Sequence, residues 1–176
     1  MIKKVLFSIA GIFVLIVVYA STRPNTFHVQ ASQTIKAAPG VIFPYVNNLH
    51  AWSEWSPFEK GVTMKKSYSG PEEGVGASVD FDGSSGTGTN TIIAASPPSK
   101  IYMKLIMTKP LHCENTIVFT FTPQGDSTIV NWDMNGPVKL LGKLMGLLFS
   151  DEMVRKQFET GLSDLKTLVE TKSQGK

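Results

Sequence analysis

The amino-acid sequence predicts an α+β fold: a curved antiparallel sheet with one long C-terminal helix across its concave side, preceded by a separate apolar helix. Three observations predict it. Period-two segments recur from residue 62 to residue 134, a single helical apolar stripe follows over about 151–171, and sixteen residues near the start are apolar all round. At 176 residues, 42% hydrophobic and 18% charged, the chain is too apolar and too weakly charged to be disordered, and is sized for one domain with a small appendage. Its lone Cys113 excludes an intrachain disulfide framework and a Cys-based zinc cluster.

The first element is Val5 to Ala20, VLFSIAGIFVLIVVYA, in which only Ser8 and Gly11 leave the hydrophobic set. A helix over residues 2–22 spans a bilayer core of roughly 30 Å, so the segment is expected to cross the membrane. The alternative is a cleaved signal peptide, because Val18-Tyr19-Ala20 resembles a small-x-small cleavage site. Lys3 and Lys4 precede the run, which puts the N-terminus in the cytoplasm and the domain outside, or free in the periplasm or medium after cleavage. The formal charge of +3 also resides here: removing Lys3, Lys4 and Arg23 from 17 basic residues leaves 14, equal to the 14 acidic ones. Residues 24–176 are therefore a neutral domain, and nucleic acid is not an expected partner.

Phe27 to Ile35 alternates apolar and polar residues and reads as a half-buried strand. Pro39 suits the first turn of a short helix through Val46 and Leu49, disturbed at Pro44, which has no N–H to donate. Val75–Phe81 and Thr87–Ala95 flank Gly83-Ser84-Ser85-Gly86 and read as a hairpin. Lys100–Thr108, Leu111–Thr122 and Ser127–Met134 continue the sheet, separated by Pro110 and by Gln124-Gly125-Asp126. Val154, Phe158, Leu162, Leu165 and Val169 then recur at spacings of four, four, three and four, after Ser150-Asp151 as N-cap.

Several of these stretches carry a family resemblance: Ala38-Pro39 to Val46-Asn47, Trp52-Ser53-Glu54-Trp55-Ser56-Pro57-Phe58, Tyr68-Ser69-Gly70-Pro71 with Gly74-Val75-Gly76, Val130 to Pro137, and Phe158-Glu159 to Leu165-Lys166. Over residues 26–170 the chain resembles the polyketide cyclase/dehydrase branch of the START/Bet v 1-like (SRPBCC) superfamily. The resemblance implies a helix-grip fold enclosing a cavity for a hydrophobic small molecule, and an N-terminal membrane segment is familiar in bacterial members. Chemistry varies within the superfamily, so the fold does not select one.

Alternation places Phe81, Met103, Leu105, Ile117, Phe119, Trp132 and Met134 on the inward face, opposite Phe158 and Leu162, with Trp55 at the turn before the sheet. These residues and Asn115, the clearest polar residue of that parity, form the expected ligand-binding set. Aromatics and methionines at such positions also fill ordinary cores, and the Trp52/Trp55/Phe58 cluster reads equally as a plug of the sheet end. His112 and Glu114 have the opposite parity, and His28, His50 and His112 lack ligand spacing, so no metal and no cofactor is assigned. No nucleophile motif is present, so no catalytic residue is assigned. Leu140–Phe149, with Lys139 and Lys143 four apart, suits a membrane-surface contact or a lid. The expected function is a membrane-tethered binding domain for a hydrophobic small molecule or lipid in an internal cavity. The alternatives are a cyclase/dehydratase-like enzyme or a protein-interaction module at the membrane.

Overall fold

The computed structural model describes residues 2–84, 86–146 and 151–174. Helix α1 (Ile2–Thr22) leads into β1 (Thr26–Ile35), followed by α2 (Pro39–Asn47), a single 3-10 turn (Leu49–Ala51) and α3 (Trp52–Trp55). Six strands follow: β2 (Met64–Ser69), β3 (Ser78–Gly83), β4 (Gly86–Ser96), β5 (Lys100–Lys109), β6 (Cys113–Gln124) and β7 (Ser127–Pro137). Helices α4 (Leu140–Gly146) and α5 (Asp151–Gln174) close the described chain. Pro44 inside α2 accepts from the Asn48 N–H at 3.0 Å, so the helix continues past the proline and stops one turn later.

The seven strands form one sheet in the order β1-β7-β6-β5-β4-β3-β2, with all neighbours antiparallel. Chain order is kept from β2 to β7 by short turns, and β1 then pairs with β7, Thr26 opposite Pro137 and Ile35 opposite Thr128. Strand β7 runs three residues beyond the stretch expected from alternation, because Asn135, Gly136 and Pro137 lie against the start of β1. The sheet therefore has two distinct ends. One carries Thr26, Gly86, Lys109, Cys113 and Pro137, and here α1 and α4 join: the Val138 N–H donates to Asn25 O at 2.7 Å and Lys143 Nζ donates to Arg23 O at 2.6 Å. The other end carries Ile35, Ser96, Gln124 and Ser127, and is covered by α2 and α3.

Helix α5 lies mainly over β1, burying Phe158, Leu162, Leu165 and Val169 as its stripe predicts. Its direction is fixed at the α2 end, where Lys166 Nζ donates to Thr34 O at 2.9 Å and the Lys36 N–H donates to Glu170 Oε1 at 2.8 Å. The expected N-cap Ser150 lies outside the described residues, as do Ser85 of the β3–β4 turn and residues 147–149 of the expected surface segment.

The expected transmembrane span is not supported: among the described residues no helix is long and apolar enough to cross a membrane. Side-chain environments in α1 are described only from Ala10 onward, Phe13 excepted, which leaves out the first part of the Val5–Ala20 run. In the described part Ile12, Val14, Leu15, Val18 and Tyr19 are exposed, while Ala20 is buried where α1 meets α4.

Candidate functional site

The concave face divides into two halves. Toward α2 it is packed with rings. Trp132 from β7 stacks on Phe158 from α5 with centroids 4.2 Å apart and planes 4° from parallel, and Phe119 from β6 lies 5.0 Å from Trp132. Trp52 and Trp55 from α3 pack edge-on to both Phe119 and Trp132, at centroid separations of 5.6 to 6.1 Å. The two α3 indoles are pinned by donation of Trp52 Nε1 to Val46 O and of Trp55 Nε1 to Tyr45 O, each at 3.0 Å. Such rings each bury roughly 150–250 Å², or about 4–6 kcal/mol of apolar burial as an upper bound. The fit leaves no slack: a Cβ added to Gly161 of α5 would stand 2.7 Å from Pro57 and 3.0 Å from Trp132.

Trp55, Phe119, Trp132, Phe158 and Leu162 of the expected ligand-binding set are all in this buried, mutually packed half, and Met103 and Ile117 are buried beside it. Among the described residues, Trp55, Phe119, Trp132 and Phe158 are buried in contact with other rings of this cluster. At the centre of the concave face these side chains pack on one another. Two clefts found on the described surface lie elsewhere: one on the solvent side of α5 along Lys156, Glu159 and Asp164, the other beside the stacked His50 and Tyr68 rings.

Toward α1 the same face is different. The strand register sets Val79, Asn90, Leu105, Asn115 and Gly136 side by side across β3, β4, β5, β6 and β7. Asn90 and Asn115 are only 6% and 7% exposed, yet among the described residues neither Oδ1 has a hydrogen-bond partner. The Asn115 Nδ2 makes one long contact of 3.7 Å to the free Cys113 Sγ. Its Oδ1 lies over Gly136, where an added Cβ would approach it to 2.2 Å, so glycine is what makes room for this amide. Around the two amides the floor is apolar and half-buried, formed by Phe81, Leu105, Met107 and Met134. Of the expected set, then, Phe81, Leu105 and Met134 are half-buried on this half of the face, with Asn115 buried among them.

Unpaired buried polar atoms are costly, about 1–3 kcal/mol each, and natural folds keep few. Asn47 Oδ1, Ser56 Oγ and Trp132 Nε1 are unpaired too among the described residues, but Ser56 and Trp132 lie in the ring-packed half, and Asn47 lies by the β2–β3 loop, where its main-chain carbonyl accepts from the Gly74 N–H at 3.1 Å. Asn90 and Asn115 are the two set beside the half-buried apolar floor.

A charged pair borders this half. Lys66 of β2 shares the face of Phe81, its direct cross-strand neighbour, and its Nζ donates to Glu59 Oε2 at 2.6 Å, with side chains 19% and 11% exposed. Burial alone would lower the lysine, but the hydrogen bond and charge of Glu59, with Tyr68 adding to them, hold it above its ordinary value. His112 and Glu114 are exposed on the opposite face, where the Lys104 hydrogen bond and charge hold Glu114 below its usual range. No group of three or more metal-ligating side chains occurs among the described residues.

Sequence reasoning missed Asn90 and Lys66. The signal for Asn90 was present: it has the parity of the buried Ile92 between the outward Thr89 and Thr91. Lys66 sits between Met64 and Tyr68 by parity, but a Lys-Lys pair in a short edge strand reads as solvent-exposed.

Residues 26–170 match the family model described as polyketide cyclase / dehydrase and lipid transport. The chain belongs to that family. It is thereby an SRPBCC domain of ligand-binding or cyclase-like type, and the sheet closed by α5 is the helix-grip fold. Among curated proteins none matches the chain. Solved structures are similar in fold at low identity. A structural-genomics protein from Chromobacterium violaceum shares 15% identity at a TM-score of 0.61, covering 84% of this chain and 99% of that one. The di-domain ARO/CYC StfQ from the steffimycin biosynthetic pathway matches at 14% identity and a TM-score of 0.65, covering 85% of this chain and 52% of that one. Aha1 from Colwellia psychrerythraea matches at 16% identity and a TM-score of 0.57, covering 81% and 96%.

Proposed function

We propose that residues 24–176 form a binding domain for a hydrophobic small molecule or lipid, seated on the α1-side half of the concave face. The observation that carries this is the pairing of two buried amides, whose Oδ1 atoms have no partner among the described residues, with a half-buried apolar floor, in a fold whose other half is packed tight. Binding uses apolar burial for affinity, with Phe81, Leu105 and Met134 as contact surface and Asn115 for orientation. A cyclase-like activity needs a group free to move a proton, and the charged side chains bordering this face, Lys66 and Glu59, are taken up by each other.

Residues 1–23 act in this proposal as a membrane tether. The apolar run Val5–Ala20 and the exposed Ile12, Val14, Leu15 and Val18 support it, and Lys3 and Lys4 favour a cytoplasmic N-terminus with the domain outside. Leu140 and Leu141 of α4, exposed at the sheet end where α1 joins, extend an apolar surface there, with Lys143 close to Arg23. A tether would hold the half-buried floor near the bilayer, at the end of the sheet where α1 leads into β1.

Native mass spectrometry of the full chain, released from membranes in mild detergent, is expected to show a co-purifying apolar mass that disappears in Leu105→Asp. Ligand-free protein under all such conditions would overturn the binding function. Carbonate extraction tests the tether separately: the full chain stays with membranes, and a chain lacking residues 1–23 does not.

A further inference from the structure

We infer that Asn90 and Asn115 together select an uncharged ligand that carries a hydrogen-bonding group at each end of a rigid apolar body. The inference rests on the binding function proposed above and specifies its ligand.

The strand register gives the spacing. Asn90 pairs with Leu105 and Leu105 pairs with Asn115, so the amides are two strands apart, about 10 Å between Cα atoms at the usual strand separation. Leu105 lies between them and offers only carbon. A ligand body resting on Leu105 therefore meets an amide at either end, and each unpartnered Oδ1 accepts one hydroxyl or N–H. Leaving these oxygens unpaired is costly, and a donor from the ligand relieves that cost at both positions at once.

Charge decides the class further. Among the described residues the cation held down on this face is Lys66, and Glu59 already neutralises it at 2.6 Å. A carboxylate or phosphate placed on the floor would lose its hydration without gaining a free cation, which the low-dielectric surroundings make expensive. Neutral donors lose far less.

Three probes on one skeleton separate these terms: para,para′-biphenol, whose hydroxyls terminate a rigid apolar body, unsubstituted biphenyl, and biphenyl carboxylate. Their affinities are measured for the full chain in lipid nanodiscs by quenching of tryptophan fluorescence, with empty discs as blank. For the wild-type chain, biphenol binds about tenfold or more tighter than biphenyl, the gain expected from one hydrogen bond of ordinary strength or two weaker ones. The carboxylate binds no tighter than biphenyl. Asn90→Leu and Asn115→Leu each weaken biphenol severalfold and leave biphenyl unchanged or tighter, a split that a purely structural role would not produce. Asn115→Ala serves as the second variant should leucine not fit beside Gly136, and thermal melts confirm that each variant is folded.

A biphenol advantage that survives both substitutions, or a preference for the carboxylate, overturns the inference. Equal affinity of wild type for biphenol and biphenyl overturns the amide pair and leaves the apolar seat standing. Failure to bind any of the three removes the seat and the inference together.

Discussion

At the α2 end of the concave face, Trp55, Phe119, Trp132 and Phe158 meet ring against ring, and α5 comes so close that only glycine fits at residue 161. At the α1 end, farther along β6 and β7 and on neighbouring β4 and β5, the Asn90 and Asn115 Oδ1 atoms stand unpaired beside half-buried Leu105 and Met134. Both halves hold unpaired polar atoms, Ser56 Oγ and Trp132 Nε1 in the first and the two asparagine Oδ1 atoms in the second, but in the first they are enclosed by packed rings and in the second they adjoin half-buried side chains. Unpaired buried groups cost free energy unless something else supplies the partner, and the ligand seat proposed above rests on the pair that stands beside half-buried apolar side chains.

The largest test of that contrast is Trp132→Ala. Removing the ring at the centre of the packed half is expected to cost about 3–5 kcal/mol, read from chemical denaturation. A loss below about 1 kcal/mol would show that the rings are loosely held and that this half has room for a ligand after all. Next come the two close-approach glycines. Gly161→Ala forces a methyl into Pro57 and Trp132 and should destabilise by about 1–3 kcal/mol, even though alanine favours the helix. Gly136→Ala meets the Asn115 amide instead, and is expected to displace that side chain and lower ligand content more than it lowers the melting temperature.

Asn115→Leu should move stability the other way. An unpaired amide gives way to carbon, and the melting temperature of ligand-free protein is expected to rise, by about 1 kcal/mol of stability, while bound ligand falls. A lower melting temperature would mean either that leucine is crowded beside Gly136 or that the Asn115 amide is paired, and Asn115→Asp, which keeps the shape, separates the two. The Lys66–Glu59 pair yields a pH signature at the border between the halves. Because the folded-state value of Lys66 is raised, its contribution is fully present below the ordinary lysine value of about 10.4 and is lost as pH rises through the raised value. Stability of the wild type should therefore fall in that alkaline window, and the fall should be smaller in Lys66→Met. The smallest effect is expected at Arg155, whose bonds to Glu152 and Glu159 lie on the solvent side of α5. Arg155→Ala should change neither half and cost under about 0.5 kcal/mol.

Alternation and helical spacing placed nearly every strand and the whole α5 stripe, because period two and period 3.6 are local properties of the chain. Val130, Trp132 and Met134 fall on one face, and Phe158, Leu162, Leu165 and Val169 on one stripe, as their spacing requires. Parity likewise put Asn115 indoors and His112 and Glu114 outdoors. What spacing could not show is how far each inward residue lies from the end of the sheet. Trp132 and Met134 are two residues apart and of equal parity, yet one is clamped under Phe158 and the other is half-open.

The sequence by itself determined the order of elements, the two faces of each strand, the neutral charge of residues 24–176 and the position of the apolar N-terminal run, since these depend on residue type and spacing alone. Only the tertiary structure decided that α3 and α5 converge on one end of the sheet and fill it. It also decided that Asn90 and Asn115, 25 positions apart in the chain, stand on either side of Leu105, and that Lys66 is turned inward onto Glu59. Those facts depend on which strands become neighbours and where the helices cross them, and neither is encoded in any single segment.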